Sequence, residues 1–214
     1  MLYSILFTTA AVVALLVAAA PQAPAGSMRL VWVFKPLASA GFLLTAWIGG
    51  ATHSTFGLMI LAALAFSAAG DVLLIPDDNK AAAMGGIAAF AVGHICYIAA
   101  FLYRGVSPWA AAPVAAVMLF VGAAVYLQLK PHAHGTMRTL VLVYIIICSA
   151  MAVAAAGTSV SVHTALYASA AILFIVSDII TAQQLFVRRR FLNRLVALPL
   201  YYSAQLLFAV GAAA

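Results

Sequence analysis

Long apolar stretches alternate along the chain with short breaks rich in proline, glycine and charge. A helix rises about 1.5 Å per residue, so roughly 20 apolar residues cross the ~30 Å hydrocarbon core of a bilayer. Eight stretches reach that length, at about 2–20, 29–48, 54–75, 81–103, 107–129, 137–156, 160–187 and 191–212. The breaks carry residues that end helices. Pro21, Pro24 and Gly26 follow the first stretch, and Gly49-Gly50 the second. Pro76-Asp77-Asp78-Asn79 follows the third, and Pro131 with Gly135 separates the fifth from the sixth. No connection is long enough to hold a soluble domain. The pattern predicts an all-α polytopic membrane protein, a bundle of eight transmembrane helices forming a single domain over residues 1–214.

Composition supports lipid as the solvent. Apolar residues make up 67% of the chain and charged residues only 7%, against about 25% charged in soluble domains. The net charge of +6 suits anionic lipid headgroups, and no stretch of interleaved basic and aromatic residues reads as a nucleic-acid surface. Lys and Arg also set the orientation. Eight of the ten, Arg29, Lys80, Lys130, Arg138, Arg188, Arg189, Arg190 and Arg194, fall in the odd-numbered connections. Only Arg104 falls in an even one. The odd connections are therefore expected on the cytoplasmic side, with both termini outside. Trp32 then sits near the inner edge, and Trp47 and Trp109 near the outer one, where amphipathic rings settle. The expected location is a bacterial inner membrane. The first stretch ends in Ala-rich sequence like a signal-peptide cleavage region. However, Met1-Leu2-Tyr3-Ser4 lacks the positive start of such a leader, so the stretch is read as a span.

Charges inside apolar spans are costly and normally face a protein interior or a wet cavity. The chain has no Glu and only four Asp, and two of these, Asp71 and Asp178, fall inside spans. Lys35 and His94 join them, with Tyr201, Tyr202 and Gln205 at middle depth of the eighth helix. Residues three or four apart share a helix face, which pairs Lys35 with Ser39, Ser67 with Asp71, His94 with Tyr97, and Tyr201 with Gln205. Polar stripes on the second, third, fourth, seventh and eighth helices fit the walls of one cavity. Ser39, Ser67, Tyr97 and Tyr202 read first as interhelical hydrogen-bond glue. The aspartates read as functional, because buried carboxylates are poor glue. Lys35 either joins the site or snorkels to the inner headgroups. Cys96 and Cys148 read as small core residues. His132 and His134 lack an acidic neighbour and read as a solvated loop, and Asp77 and Asp78 as a solvated turn. Arg188, Arg189, Arg190 and Arg194 read as a lipid-anchoring rim.

A weak internal repeat also shows. Asp71 and Asp178 stand 107 positions apart, as do His94 and Tyr201, and Phe66-Ser67-Ala68-Ala69-Gly70-Asp71 is similar to Phe174-Ile175-Val176-Ser177-Asp178. Four helices per half would make the repeats parallel, related by an axis along the membrane normal.

The motifs Lys35-Pro36-Leu37, Phe66-Ser67-Ala68-Ala69-Gly70-Asp71-Val72-Leu73-Leu74, Phe90-Ala91-Val92-Gly93-His94-Ile95-Cys96-Tyr97, Phe174-Ile175-Val176-Ser177-Asp178 and Tyr201-Tyr202-Ser203-Ala204-Gln205 occur in that order. Together they resemble the YhhN-like family of membrane lysoplasmalogenases, also called alkenylglycerol ether hydrolases. After Asp178 the chain reads Ile179-Ile180-Thr181-Ala182, where the family usually has Leu before the Ala. The resemblance implies a hydrolase that cleaves the vinyl ether of lysoplasmalogens to a fatty aldehyde and a glycerophospho-base. Its substrate partner would be a lysophospholipid. Such chemistry wants one protonated acid and one carboxylate, as in glycosidases. Asp71 and Asp178 are the expected catalytic pair. Lys35, His94, Tyr97, Tyr201, Tyr202 and Gln205 are expected to bind or orient substrate and water, with Lys35 near the phosphate. No metal and no cofactor are required. The competing reading is a proton-coupled lipid or solute transporter using the same intramembrane groups.

Overall fold

The computed structural model describes residues 1–20, 28–76 and 79–212. Pro21, Pro24, Gly26, Asp77 and Asp78, read above as breakers and turn residues, lie outside these. The described residues form eight α-helices: α1 Leu2–Ala18, α2 Met28–Ile48, α3 Thr55–Leu73, α4 Lys80–Arg104, α5 Pro108–Leu129, α6 Thr136–Ser161, α7 Leu166–Ala182 and α8 Phe191–Gly211. A 3-10 turn, Ala51–His53, precedes α3, and a π-helical turn, Gln183–Val187, extends α7. No strand occurs among the described residues.

Seven of the helices, α7 taken with its π turn, are long and apolar enough to cross a membrane. Among the described residues α1, at 17 residues, is a shorter apolar helix, so eight helices are present and seven of them have the full length of a span. α1 nevertheless packs as a bundle member. Its Thr8 meets α2 at Gly41, and Thr45 donates to Ser4 at 2.9 Å. The expected break between the sixth and seventh helices also moves. Residues 157–161 continue α6, because Gly157 serves close packing rather than helix ending: a Cβ there would meet Val106 and Ser107. The chain turns instead at His163, whose φ of 54° lies in the left-handed region. Thr158 fastens this end by donating to the Phe101 carbonyl at 3.1 Å.

The helices pair as α1 with α2, α3 with α4, α5 with α6 and α7 with α8. Between pairs, α2 meets α3 and α8, while α6 meets α7 and α4. Exchanging the first four helices for the last four maps these contacts onto one another. This is the arrangement that a parallel duplication would give. Small residues let the backbones approach. A Cβ on Gly93 would lie 3.0 Å from the Ala63 carbonyl oxygen, and one on Gly70 2.7 Å from the Phe90 ring. Both glycines stand directly before a polar site residue, so the α3–α4 contact fixes Asp71 and His94 together. α5 lies outermost. It buries only Gly122 and Leu129, and Trp109, Leu119 and Phe120 face outward, as a lipid-facing helix requires. Pro36 and Pro199 lie inside α2 and α8 without ending them.

Candidate active site

Asp71 sits near the C-terminal end of α3 with 3% of its surface exposed. Lys35 of α2 places Nζ 3.7 Å from Oδ1. Ser39, one turn further along the same face, donates to Oδ2 at 2.7 Å, and Tyr201 of α8 donates to the same oxygen at 2.8 Å. Tyr202 lies within 3.3 Å of Ser39 Oγ and donates to the Lys35 carbonyl at 3.3 Å. Lys35 thus turns inward to Asp71 instead of snorkelling to headgroups. One cation and two hydroxyl donors converge on this carboxyl, partners of the kind that favour a charged carboxylate.

Asp178, on α7, has different partners. Tyr144 of α6 donates to Oδ2 at 2.8 Å, and Cys148, one turn on, approaches that oxygen at 3.5 Å. His94 of α4 brings Nε2 to 3.6 Å from it. The other ring nitrogen, Nδ1, lies 2.8 Å from the Phe90 carbonyl oxygen. A carbonyl only accepts, so Nδ1 carries hydrogen, and in the neutral ring Nε2 is a bare acceptor facing Asp178. His94 is fully buried, and Nε2 makes no hydrogen bond.

Asp71 and Asp178 line the same cavity, together with Lys35, Tyr201, Tyr144 and Cys148. The rest of its wall is chiefly aliphatic and aromatic side chains from α4 to α8. His94, Tyr97, Tyr202 and Gln205 do not reach that wall. His94 stands behind Asp178. Tyr97 donates to Gln205 Oε1 at 2.6 Å, a buried brace between α4 and α8. Tyr202 supports Lys35 and Ser39 from behind. Phe174 packs edge-on against both His94, at 4.6 Å, and Tyr201, at 5.4 Å, and so joins the two centres.

The polar pattern along the sequence does not point to α6, where Tyr144 carries no charge to mark it and Cys148 reads as a core residue. Lys35 and Tyr144 stand 109 positions apart, as do Ser39 and Cys148, close to the 107 of the two aspartates. Asp71 thus meets Lys35, Ser39 and Tyr201, and Asp178 meets Tyr144, Cys148 and His94. The second centre also forms a group that sequence reasoning did not anticipate. The ligand-type atoms of His94, Cys148 and Asp178 all lie within 4.8 Å of one another. A soft divalent cation takes such donors, and the Nδ1 contact to a backbone carbonyl is how metal-binding histidines are often oriented. The hydrogen bond from Tyr144 and the near contact of Cys148 already give Asp178 a role without an ion.

The chain matches the YhhN family over residues 30–212. It is similar to a lysoplasmalogenase, TMEM86A of Bos taurus, with 31% identity over 188 residues that cover 85% of this chain and 73% of that protein. No solved structure matches.

Proposed function

The chain belongs to the YhhN family and is an enzyme of lysoplasmalogenase type; on that premise we propose that it hydrolyses the vinyl ether of a single-chain lysoplasmalogen within the membrane. The observation that carries the reading is one apolar cavity lined by two carboxyls with contrasting partners. Asp71 has a cation and two hydroxyl donors. Among the described residues Asp178 meets no Lys or Arg, and it faces the bare nitrogen of a neutral His94. Two acceptors face each other comfortably only with a proton between them. Asp178 is therefore the carboxyl suited to hold a proton, and Asp71 the one suited to stay ionised.

The reaction follows from this difference. Asp178 gives its proton to the outer alkenyl carbon, which leaves an oxocarbenium ion at the carbon bonded to oxygen. Asp71 stabilises that cation and accepts a proton from the water that attacks it. The resulting hemiacetal collapses: the glycerol oxygen leaves with a proton, the carbonyl forms, and the carboxyls return to their starting states. The sum is one water consumed, one aldehyde and one alcohol released. Tyr201 and Ser39 hold Asp71, Tyr144 and His94 position Asp178, and Lys35 keeps Asp71 charged. The alkenyl chain lies along the aliphatic wall toward α5 and α6.

The test is aldehyde release by the purified chain in detergent, from a lysoplasmalogen and from its saturated alkyl analogue. Release from the first only is expected. Proton-coupled uptake by liposomes without aldehyde would favour a transporter and overturn the reading. Orientation is tested separately, with an impermeant thiol reagent on intact cells. A cysteine at Ala165 should react and one at Ala81 should not, which places the odd connections and the basic rim inside.

A further inference from the structure

The Asp178 centre carries a donor set that the proposed reaction does not use in full. Nε2 of His94 makes no hydrogen bond, is fully buried and faces Asp178 Oδ2 from 3.6 Å. Cys148 Sγ lies 3.5 Å from the same oxygen. All three ligand-type atoms fall within 4.8 Å of one another. A tetrahedral zinc ion, with bonds of about 2.0–2.1 Å to nitrogen and oxygen and about 2.3 Å to sulfur, sets its ligand atoms roughly 3.3–3.6 Å apart. Both separations from Asp178 Oδ2 already match that spacing. A proton is one species that can lie between two facing acceptors, and a metal ion is the other.

The surroundings hold these donors in place. His94 presents Nε2 because Nδ1 is fixed on the Phe90 carbonyl at 2.8 Å, the outer contact that orients a ligating imidazole. Tyr144 donates to Asp178 Oδ2 at 2.8 Å and steadies the carboxyl in the same way. Imidazole, thiol and one carboxyl suit a borderline-soft ion such as zinc, whereas magnesium and calcium want oxygen alone. The Asp71 centre offers no such set, since its partners are a lysine and two hydroxyls. Cys148 and Asp178 both line the main cavity, so a fourth coordination position would open on it. That cavity shares Lys35, Thr181 and Leu185 with a second one, whose wall includes Gln184, Asn193 and Arg194. Gln184 in turn accepts from the backbone N–H of exposed Arg190, so the two cavities together lead toward the basic rim.

We propose that His94, Cys148 and Asp178 form an inhibitory site for a soft divalent cation such as zinc, which stops hydrolysis by occupying the acid. The inhibition rests on the hydrolase reading above; the binding does not. On coordination Asp178 and the Cys148 thiol release their protons to water, while neutral His94 gives a lone pair. The ion's two positive charges are then balanced by one carboxylate and one thiolate, so the complex is neutral beside its apolar wall. Coordinated Asp178 has no proton to give to the alkenyl carbon. The protonated centre is the catalytic form and the metal-bound centre the inhibited one, so the ion acts as an inhibitor and not as a cofactor.

The test uses zinc chloride on the full chain in detergent, with two readouts: zinc bound at equilibrium, by calorimetry, and aldehyde release from a lysoplasmalogen. About one zinc should bind per chain, and aldehyde release should fall at least roughly tenfold as the site fills. A chelator should restore the rate, and magnesium chloride should neither bind there nor inhibit. Cys148→Ala and His94→Gln should each weaken zinc binding by at least about tenfold. Inhibition of each variant, measured against its own metal-free rate, should need correspondingly more zinc. Cys148→Ser, closer in size to the parent, serves if Cys148→Ala proves unstable. The loop histidines are the control: His132→Asn with His134→Asn should alter neither readout. Zinc binding that persists undiminished in the Cys148 and His94 variants overturns the site, as does binding that disappears with the loop histidines. Activity lost on chelation and regained with zinc makes the ion a cofactor and overturns the inhibition. Zinc binding that depends on Cys148 in a protein releasing no aldehyde leaves the site standing and removes the hydrolase. Aldehyde release that continues with no zinc bound removes the site and leaves the hydrolase.

Discussion

The two aspartate centres share one cavity, yet among the described residues one has a lysine against it and the other a histidine. On the first, helix two supplies Lys35 and Ser39 and helix eight supplies Tyr201. On the second, helix six supplies Tyr144 and Cys148 and helix four supplies His94. The side chains around the two carboxyls differ in what they offer. Lys35 provides a permanent charge. Tyr144 provides a neutral hydroxyl, and His94 a nitrogen lone pair. One cavity can thus divide acid from base by giving two identical carboxyls different neighbours.

The strongest way to break this contrast is to remove the acids. Asp71→Asn and Asp178→Asn should each lower aldehyde release by about 10²–10⁴-fold, and the double variant should be little worse than either single, because acid and base act on one reaction. Near-normal turnover in both single variants would make the carboxyls structural. Stability should then separate the two. Asp71→Asn removes the carboxylate opposite the Lys35 ammonium, whose side chain is only 13% exposed, and should cost about 3 kcal/mol in thermal unfolding in detergent. Adding Lys35→Met should recover most of that loss. Asp178→Asn strands no cation and should stay within about 1 kcal/mol of the parent. Equal losses in the two would contradict the proposed charge difference.

The pH profile sharpens the same contrast. The reaction needs Asp178 protonated and Asp71 ionised, so kcat/KM should fall on the alkaline side as Asp178 loses its proton and on the acid side as Asp71 gains one. The alkaline limb should move in His94→Gln, which alters the nitrogen facing Asp178, and the acid limb should not. In that variant kcat should drop by roughly tenfold with KM little changed, the mark of a positioning residue. The smallest expected effect is that of chelation. Dialysis of the protein against a strong chelator should leave turnover unchanged, and Cys148→Ala should alter it by no more than about threefold. Loss of activity restored by zinc would instead make His94, Cys148 and Asp178 a metal site and take Asp178 out of the role of acid.

What the sequence determined was the class of fold and the identity of most polar players. In a bilayer every apolar stretch of sufficient length is driven to a helix, since the backbone has no water to satisfy it. The helix positions could therefore be read from hydropathy alone, apart from the α6–α7 junction, where α6 runs on past Gly157 to Ser161. Asp71, Asp178, Lys35 and His94 were legible because a charge or imidazole in lipid has to be accounted for. Partners were not legible in the same way, because a tyrosine or cysteine on a spanning helix costs little and announces nothing. Only the packing of α6 against α4 and α7 brought Tyr144 and Cys148 to Asp178. Only the α3–α4 approach through Gly70 and Gly93 packed the helices of Asp71 and His94 closely together. The tertiary structure also turned Lys35 from the headgroups to Asp71, and Arg194 from the rim to a cavity. Those are decisions of rotation about a helix axis, and hydropathy along the chain does not fix which neighbour a given face will meet.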